Sequence, residues 1–165
     1  MKSEILTLAD FSIAGLSVTT NNRAEMQAGQ GKIAALVQRY YQQKMAERLK
    51  ARTEPGVTYA LYTEFVDQDR ADYTYLIGEK VETGLPQNAA SVRSLSLEPS
   101  HYQRFTTDAG AMPNVVIDAW QSIWSMSDSE FASRRLFKAD FERYDQRAID
   151  PKQAVIEIYL GIATE

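Results

Sequence analysis

The residues of this 165-residue chain with the clearest potential for chemistry are carboxylates that lie among aromatic side chains. Glu142 follows Phe141 and precedes Tyr144 by two positions, and Glu157 precedes Tyr159 by two positions. A carboxylate attracts a cation by charge, and each aromatic ring face adds about 0.5–2 kcal/mol to that attraction. The pattern favours binding of a flat, cationic organic molecule. The ordinary alternative is that each glutamate is a solvent-facing residue of a β-strand.

Side-chain alternation along a strand predicts which of these residues share a surface. Glu142 shares a face with Asp140 and Tyr144, and Glu157 shares a face with Tyr159. The opposite face of the last strand carries four apolar residues, which we expect to pack against helices: Ile156, Ile158, Leu160 and Ile162. If Glu142 is buried, its pKa rises, and a bound cation would lower that pKa again.

A second aromatic pair, Trp120 and Trp124, is spaced four residues apart, which places both rings on one face of a helix. Two core aromatics are the usual outcome of such spacing. Tryptophan is nevertheless rarely buried completely and often keeps one edge in contact with water. The alternatives are therefore a purely structural pair and a pair of which at least one ring lines a pocket.

Composition excludes several kinds of site. The chain has no cysteine, which rules out disulfides, thiol catalysis and thiolate zinc sites. Its single histidine, His101, rules out a multi-histidine metal site and argues against a Ser-His-Asp triad. We therefore predict no metal and no cofactor. The net charge of −4 argues against direct nucleic-acid binding and suits a cationic ligand or a basic protein partner.

No apolar run approaches the roughly 20 residues that span a bilayer, and no secretory signal is visible at the N-terminus. We therefore expect a cytoplasmic protein without a membrane segment.

The elements that position these residues fall into two similar halves, at about residues 10–83 and 90–163, joined by the breaker-rich linker 84–88. In the first half, apolar residues recur at helical spacing from Ile33. Strands are predicted there over 11–19, 57–66 and 72–81, and residues 21–31 are predicted to be a loop. In the second half, a helix is predicted from Pro113, with strands over 92–97, 102–107, 138–144 and 154–163.

This order predicts one α+β domain over residues 1–165, made of tandem duplicated β-α-β-β units. The units form a curved antiparallel sheet with two main helices. Neither half is large enough to bury a generous core alone, so we expect the halves to share one. A central ligand cleft is expected at the seam between them.

The chain resembles the GyrI-like small-molecule-binding domain, the effector-binding domain of AraC- and MerR-type bacterial transcription activators. The resemblance covers nearly the whole chain and depends on the order and spacing of several segments. These are residues 11–18, 33–40, 59–62, 72–78, 117–124, 140–144 and 155–159. It implies a duplicated fold in which a buried glutamate, surrounded by aromatic rings, receives cationic amphipathic drugs. The glutamate of the Phe-Glu-Arg-Tyr segment is Glu142, and the implied pocket walls are Tyr59, Tyr62, Trp120, Trp124, Phe141 and Tyr159.

The resemblance leaves three functions open. The first is a stand-alone module that binds a hydrophobic cation and reports to a partner such as a transcription regulator. About ten residues precede the first predicted strand, so we expect this chain to lack the DNA-binding segment of the activators. The second is an inhibitor of DNA gyrase, which rests on family analogy alone. The third is a hydrolase of strained toxic molecules with Glu142 as general base, although no nucleophile or oxyanion hole accompanies it.

Overall fold

The computed structural model describes residues 1–164, which form one eight-stranded antiparallel sheet with four α-helices. No helix of this part of the chain is long and apolar enough to cross a membrane. The helices are α1 (Asn22–Met26), α2 (Ile33–Gln42), α3 (Met45–Arg48) and α4 (Asn114–Trp124). The strands are β1 (Lys2–Leu8), β2 (Phe11–Thr20), β3 (Thr58–Thr63), β4 (Tyr73–Val81), β5 (Arg93–Leu97), β6 (Ser100–Thr106), β7 (Ala139–Tyr144) and β8 (Glu157–Ile162).

The sheet has an internal pseudo-twofold symmetry. Its strand order is β1-β6-β8-β7-β3-β4-β2-β5, so each strand of the first half has a counterpart at the mirrored position in the second half. The centre of symmetry lies between β7 and β3, where Ala60 pairs with Glu142. This arrangement confirms the predicted α+β sheet and places Glu142 at the seam between the halves.

Each half begins with a strand that the β-α-β-β prediction did not assign to the repeat. β1 pairs with β6 of the second half, and β5 pairs with β2 of the first half. The repeat is therefore β-β-α-β-β with its first strands exchanged, and β1 lies in the segment that was expected to precede the sheet. Lys2–Leu8 escaped detection because it is an edge strand with mostly exposed side chains. The loop predicted over residues 21–31 likewise contains the short helix α1.

The two long helices cover one face of the sheet, which we call the helix face. Leu36 and Tyr40 of α2 pack on a cluster that includes Leu16 and Ile77, while Trp120 of α4 packs on the second half. Because each helix covers its own half, the seam between them stays open. The opposite face, here called the inner face, curves so that leucines of the edge strands β1 and β5 pack on the central strands.

Close approach of β2 and β4 depends on two glycines that face each other across these strands. Gly15 pairs with Gly78, and a Cβ added at either would lie under 2 Å from a backbone carbonyl oxygen of the other strand. Gly78→Ala is therefore expected to cost about 2 kcal/mol or more of unfolding free energy, because backbone must move to admit the methyl group.

Urea unfolding of the two proteins measures this cost. Gly110→Ala is the control, since the atoms nearest its added Cβ belong to the side chain of Val115 and lie 3.2 Å away. That variant should lose less than about 1 kcal/mol. Equal losses in the two variants would show that close strand approach at Gly15 and Gly78 is not required.

Candidate functional site: a buried glutamate between two helices

Glu142 lies at the floor of the seam, on the helix face of β7, and accepts three hydrogen bonds. Tyr62 Oη donates to its Oε2 at 2.7 Å, and Trp120 Nε1 donates to the same oxygen at 2.8 Å. Tyr144 Oη donates to Oε1. Alternation along β7 brings Tyr144 beside the glutamate, whereas Tyr62 comes from β3 and Trp120 from α4. Three elements therefore hold one carboxylate.

The carboxylate has hydrogen-bond donors but no counter-charge. Glu142 is only 3% exposed, and no lysine, arginine or N-terminal ammonium of residues 1–164 lies within ion-pair distance of it. Burial raises the pKa of Glu142, and the hydrogen bonds from Tyr144, Tyr62 and Trp120 oppose that rise. A buried carboxylate that lacks a cation is uncommon, because unpaired charge is costly away from water.

The tyrosines around Glu142 stay protonated, and two of them, Tyr62 and Tyr144, donate hydrogen bonds to it. Burial and then the negative charge of Glu142 raise the pKa of Tyr62, Tyr75 and Tyr144 well above the ordinary value. These hydroxyl groups therefore stay neutral near neutral pH. The site therefore offers Glu142 as a carboxylate among aromatic rings and neutral hydroxyl groups, beside Asp145, whose charge is compensated by Arg143 and Arg147.

A cleft of about 540 Å³ opens above Glu142 between α2 and α4. Its floor includes Ala60 and Tyr75, and its walls include Val37 of α2 and Val116 of α4. This volume lies within the range of about 300–1,000 Å³ that is typical of small-molecule sites. The rim carries apolar side chains that are largely exposed, namely Tyr41, Ile117 and Ile149. The cleft is thus apolar at its entrance and acidic at its base.

The two tryptophans lie beside this cleft. Trp120 and Trp124 line a smaller cavity of about 130 Å³, and Tyr62 borders both spaces. Trp120 contacts Glu142 through its indole N–H, whereas Trp124 is 43% exposed and makes ring contact with Trp120 at 5.9 Å between centroids. Asp140 also lines the smaller cavity, and its Oδ2 forms an ion pair with the Arg135 guanidinium at 2.7 Å.

The structure separates the other three predicted wall residues from Glu142. Tyr59, Phe141 and Tyr159 belong to the inner-face cluster, where Phe141 stacks on Tyr159 at 4.4 Å between ring centroids. Phe141 is next to Glu142 in sequence, and neighbouring strand residues point to opposite faces. The expectation that all six aromatic residues surround one glutamate is therefore corrected by the placement of these three.

The carboxylate two residues after Tyr62 in sequence does not line the cleft. Glu64 follows the end of β3 with a φ of +53°, so strand alternation no longer applies to it, and it forms an exposed ion pair with Arg93. The residues of α2 and the loop residue Ile149 that border the cleft were not predicted as walls. The apolar face of α2 could have suggested that its residues line a pocket, but apolar residues at helical spacing are equally typical of residues buried in a core.

Similarity to solved structures supports the fold. An integron cassette protein from Vibrio cholerae is 24% identical with a TM-score of 0.74, and covers 98% of this chain and 95% of its own. SAV2435, solved bound to tetraphenylphosphonium, is 20% identical with a TM-score of 0.76; the match covers 99% of this chain and 94% of SAV2435. EcmrR in a DNA complex is 9% identical with a TM-score of 0.61; the match covers 98% of this chain and 58% of EcmrR.

Sequence similarity supplies the family. YobU of Bacillus subtilis strain 168, which bears the name of a transcriptional regulator protein, is 30% identical over 151 residues, or 90% of each chain. The family described as integron-associated effector binding protein, Cass2, matches residues 4–162. Together with the duplicated fold, this match shows that the chain belongs to the Cass2 family of integron-associated effector-binding proteins.

Proposed function

We propose that this protein binds a hydrophobic organic cation in the cleft between α2 and α4, with Glu142 as the counter-charge. The observation that carries the proposal is the buried carboxylate without a cationic partner in residues 1–164. A cation that entered the cleft would remove the cost of that unpaired charge, and the aromatic rings beside Glu142 would stabilise it further.

The shape of the cleft supports a ligand with a bulky apolar body. Val37, Val116 and the exposed rim residues offer apolar contacts above an acidic floor. Such an arrangement orients an amphipathic cation with its charge inward. SAV2435, which shares the fold, has been solved with the lipophilic cation tetraphenylphosphonium, and this makes that compound a reasonable first probe.

Titration with tetraphenylphosphonium tests the proposal, with tryptophan fluorescence and thermal shift as readouts. At a hundredfold excess over Kd, a ligand that binds only the folded state adds about 2.7 kcal/mol of stability. The matched neutral compound is triphenylphosphine oxide, which retains aryl rings without the charge. We expect saturable binding of the cation and much weaker binding of the neutral compound. No binding of the cation, or equal binding of both, would contradict the proposal.

The affinity for a permanent cation is expected to fall as pH decreases. Binding requires ionised Glu142, and burial raises the pKa of this group in the free protein. A bound cation lowers that pKa, so binding releases a proton when the pH lies below the free-protein pKa. Affinity should therefore drop by up to about tenfold per pH unit there.

Titrations at several values between about pH 5 and 8 measure this dependence, since tetraphenylphosphonium itself does not titrate in that range. Glu142→Gln should remove the dependence. A wild-type affinity that stays constant while the protein remains folded would show that the cation does not interact with this carboxylate.

Two other roles have less support from the site. A hydrolase would need Glu142 to deprotonate water, yet three hydrogen bonds from hydroxyl and indole donors stabilise its ionised form and weaken it as a base. Recovery of unchanged ligand after incubation separates a binding protein from an enzyme. A gyrase-inhibitor role rests on family analogy, and a supercoiling assay tests it. A partner protein such as a transcription regulator, and a cytoplasmic location, stay predictions.

A further inference from the structure

A second cavity, of about 440 Å³, lies on the inner face of the sheet, opposite the Glu142 cleft. The charges around it differ from those of the cleft. Four cationic side chains line it, whereas only two carboxylates, Glu54 and Glu157, do so. The cations are Lys80, Arg104, Arg143 and Arg147. Its wall therefore carries an excess of positive charge in a protein whose net charge is −4.

One carboxylate, Glu157, forms ion pairs with three of these cations. Glu157 is 3% exposed, and its Oε1 lies 2.8 Å from Arg143 and 2.9 Å from Arg147. Its Oε2 lies 3.1 Å from Arg104. Outside the cavity lining, Asp145 also pairs with both Arg143 and Arg147, and Glu4 contacts Arg104. The outer pairs hold the guanidinium groups in place, while Glu157 and Glu54, the latter 3.6 Å from Arg143, compensate them within the cavity wall.

One of the cations in the cavity wall, Lys80, retains unused binding capacity. The ammonium of Lys80 lies 4.8 Å from the ring centre of Phe11 and 5.7 Å from that of Tyr59. No carboxylate of residues 1–164 lies within ion-pair distance of it. Lys80 is thus the one cation of the cavity wall without a carboxylate partner among residues 1–164.

We propose that the inner-face cavity is a second ligand site, which binds a small multivalent oxyanion of phosphate or carboxylate type. Planar guanidinium groups match both kinds of oxyanion, and the unpaired Lys80 adds a charge-assisted contact. Cation-π contact with Phe11 and Tyr59 keeps the ammonium at the cavity wall in the absence of an anion.

The two sites lie on opposite faces of the sheet. Asp145, which lines the Glu142 cleft, pairs with Arg143 and Arg147 of the inner-face cavity, whereas Glu142 has no such contact. Glu142 and Arg143 are neighbours on β7 and point to opposite faces, and their cross-strand partners on β8, Ile158 and Glu157, divide in the same way. Glu142→Gln should therefore leave anion binding unchanged. Failure of either proposal is thus distinguishable from failure of the other.

Calorimetric titration of the full chain with inorganic phosphate and, separately, with citrate tests this site at constant ionic strength. Lys80→Gln should weaken binding of the preferred anion by about 3–10-fold, the effect of one nearby charge in partly hydrated surroundings. Glu54→Gln should tighten binding by a similar factor, because it removes a negative charge from the cavity wall. Lys50→Gln, at an exposed lysine outside the cavity, should change affinity by less than about twofold.

The direction of the Glu54 effect separates an anion site from a network of structural ion pairs, since loss of a structural contact would not improve binding. Preference for phosphate or for citrate assigns the chemical type of the ligand. The proposal is overturned if neither anion binds saturably to the wild type. It is also overturned if Lys80→Gln and Lys50→Gln have equal effects, or if Glu54→Gln fails to tighten binding.

Discussion

Glu142→Gln is expected to weaken tetraphenylphosphonium binding by about 30-fold or more. The substitution keeps the size of the side chain and removes the carboxylate at the floor of the cleft that lacks a cationic partner. Asp145, the other carboxylate that lines the cleft, is paired with Arg143 and Arg147. Removing one partner of a buried charge pair costs about 2–5 kcal/mol, because the other charge remains desolvated and unpaired. In this variant the bound cation would be left in an apolar cleft with neutral hydroxyl groups around it.

The folded state of this variant should survive. Burial raises the pKa of Glu142, so the folded protein holds that proton more tightly than the unfolded chain does. The stability associated with this group is therefore present below the unfolded-state pKa and is lost as pH rises through the higher folded-state pKa. At neutral pH a neutral side chain should change stability by no more than about 1 kcal/mol, since Gln still accepts a hydrogen bond.

Glu82→Gln is the matched control, because Glu82 is exposed and lies outside the cleft. Fluorescence titration of the three proteins should give wild-type affinity for this control. If both variants bind the cation as tightly as the wild type, Glu142 is not the counter-charge. If both lose affinity equally, the general negative charge of the protein attracts the cation, and the cleft has no specific role.

The largest expected loss of stability follows from Arg135→Met. Asp140 is 1% exposed and accepts hydrogen bonds from Arg135 at 2.7 Å and from the Gly161 N–H at 2.9 Å. Burial raises the pKa of Asp140, and the charge of Arg135 opposes the rise. Without the guanidinium, a buried carboxylate remains uncompensated, which typically costs about 3–5 kcal/mol.

Denaturant unfolding of the single and double variants tests this explanation. Arg135→Met combined with Asp140→Asn should regain at least about half of the lost free energy, because the unpaired charge is then absent. Asp140→Asn alone should lose less than Arg135→Met. If Arg135→Met lowers the free energy of unfolding by less than about 1 kcal/mol, the Arg135–Asp140 pair does not stabilise the fold as proposed.

The sequence predicted the central elements of the fold well because their signals are local. Apolar residues at helical spacing identified α2 and α4, and alternation identified the long strands around Glu142. The edge strand β1 was missed, since its exposed side chains carry no apolar pattern. The exchange of β1 and β5 between the halves is a matter of long-range pairing, which no local pattern reports.

The candidate site was predicted in part for a related physical reason. Glu142, Tyr62 and Trp120 come together as expected, although their contacts depend on three separate elements. Phe141 and Tyr159 were assigned to the same pocket from sequence proximity and family resemblance. Alternation by one residue places them on the inner face, where the curvature of the sheet buries them.

The most direct test of the proposed cation site is a structure of the protein with tetraphenylphosphonium bound. We expect the phosphorus centre between α2 and α4, with its charge within about 6 Å of the Glu142 carboxylate and aryl rings against Tyr62 and Tyr75. A cation bound only beside the exposed Trp124, or on the inner face, with Glu142 still hydrogen-bonded to Tyr62, Trp120 and Tyr144 alone, would contradict the assignment of Glu142 as the ligand's counter-charge.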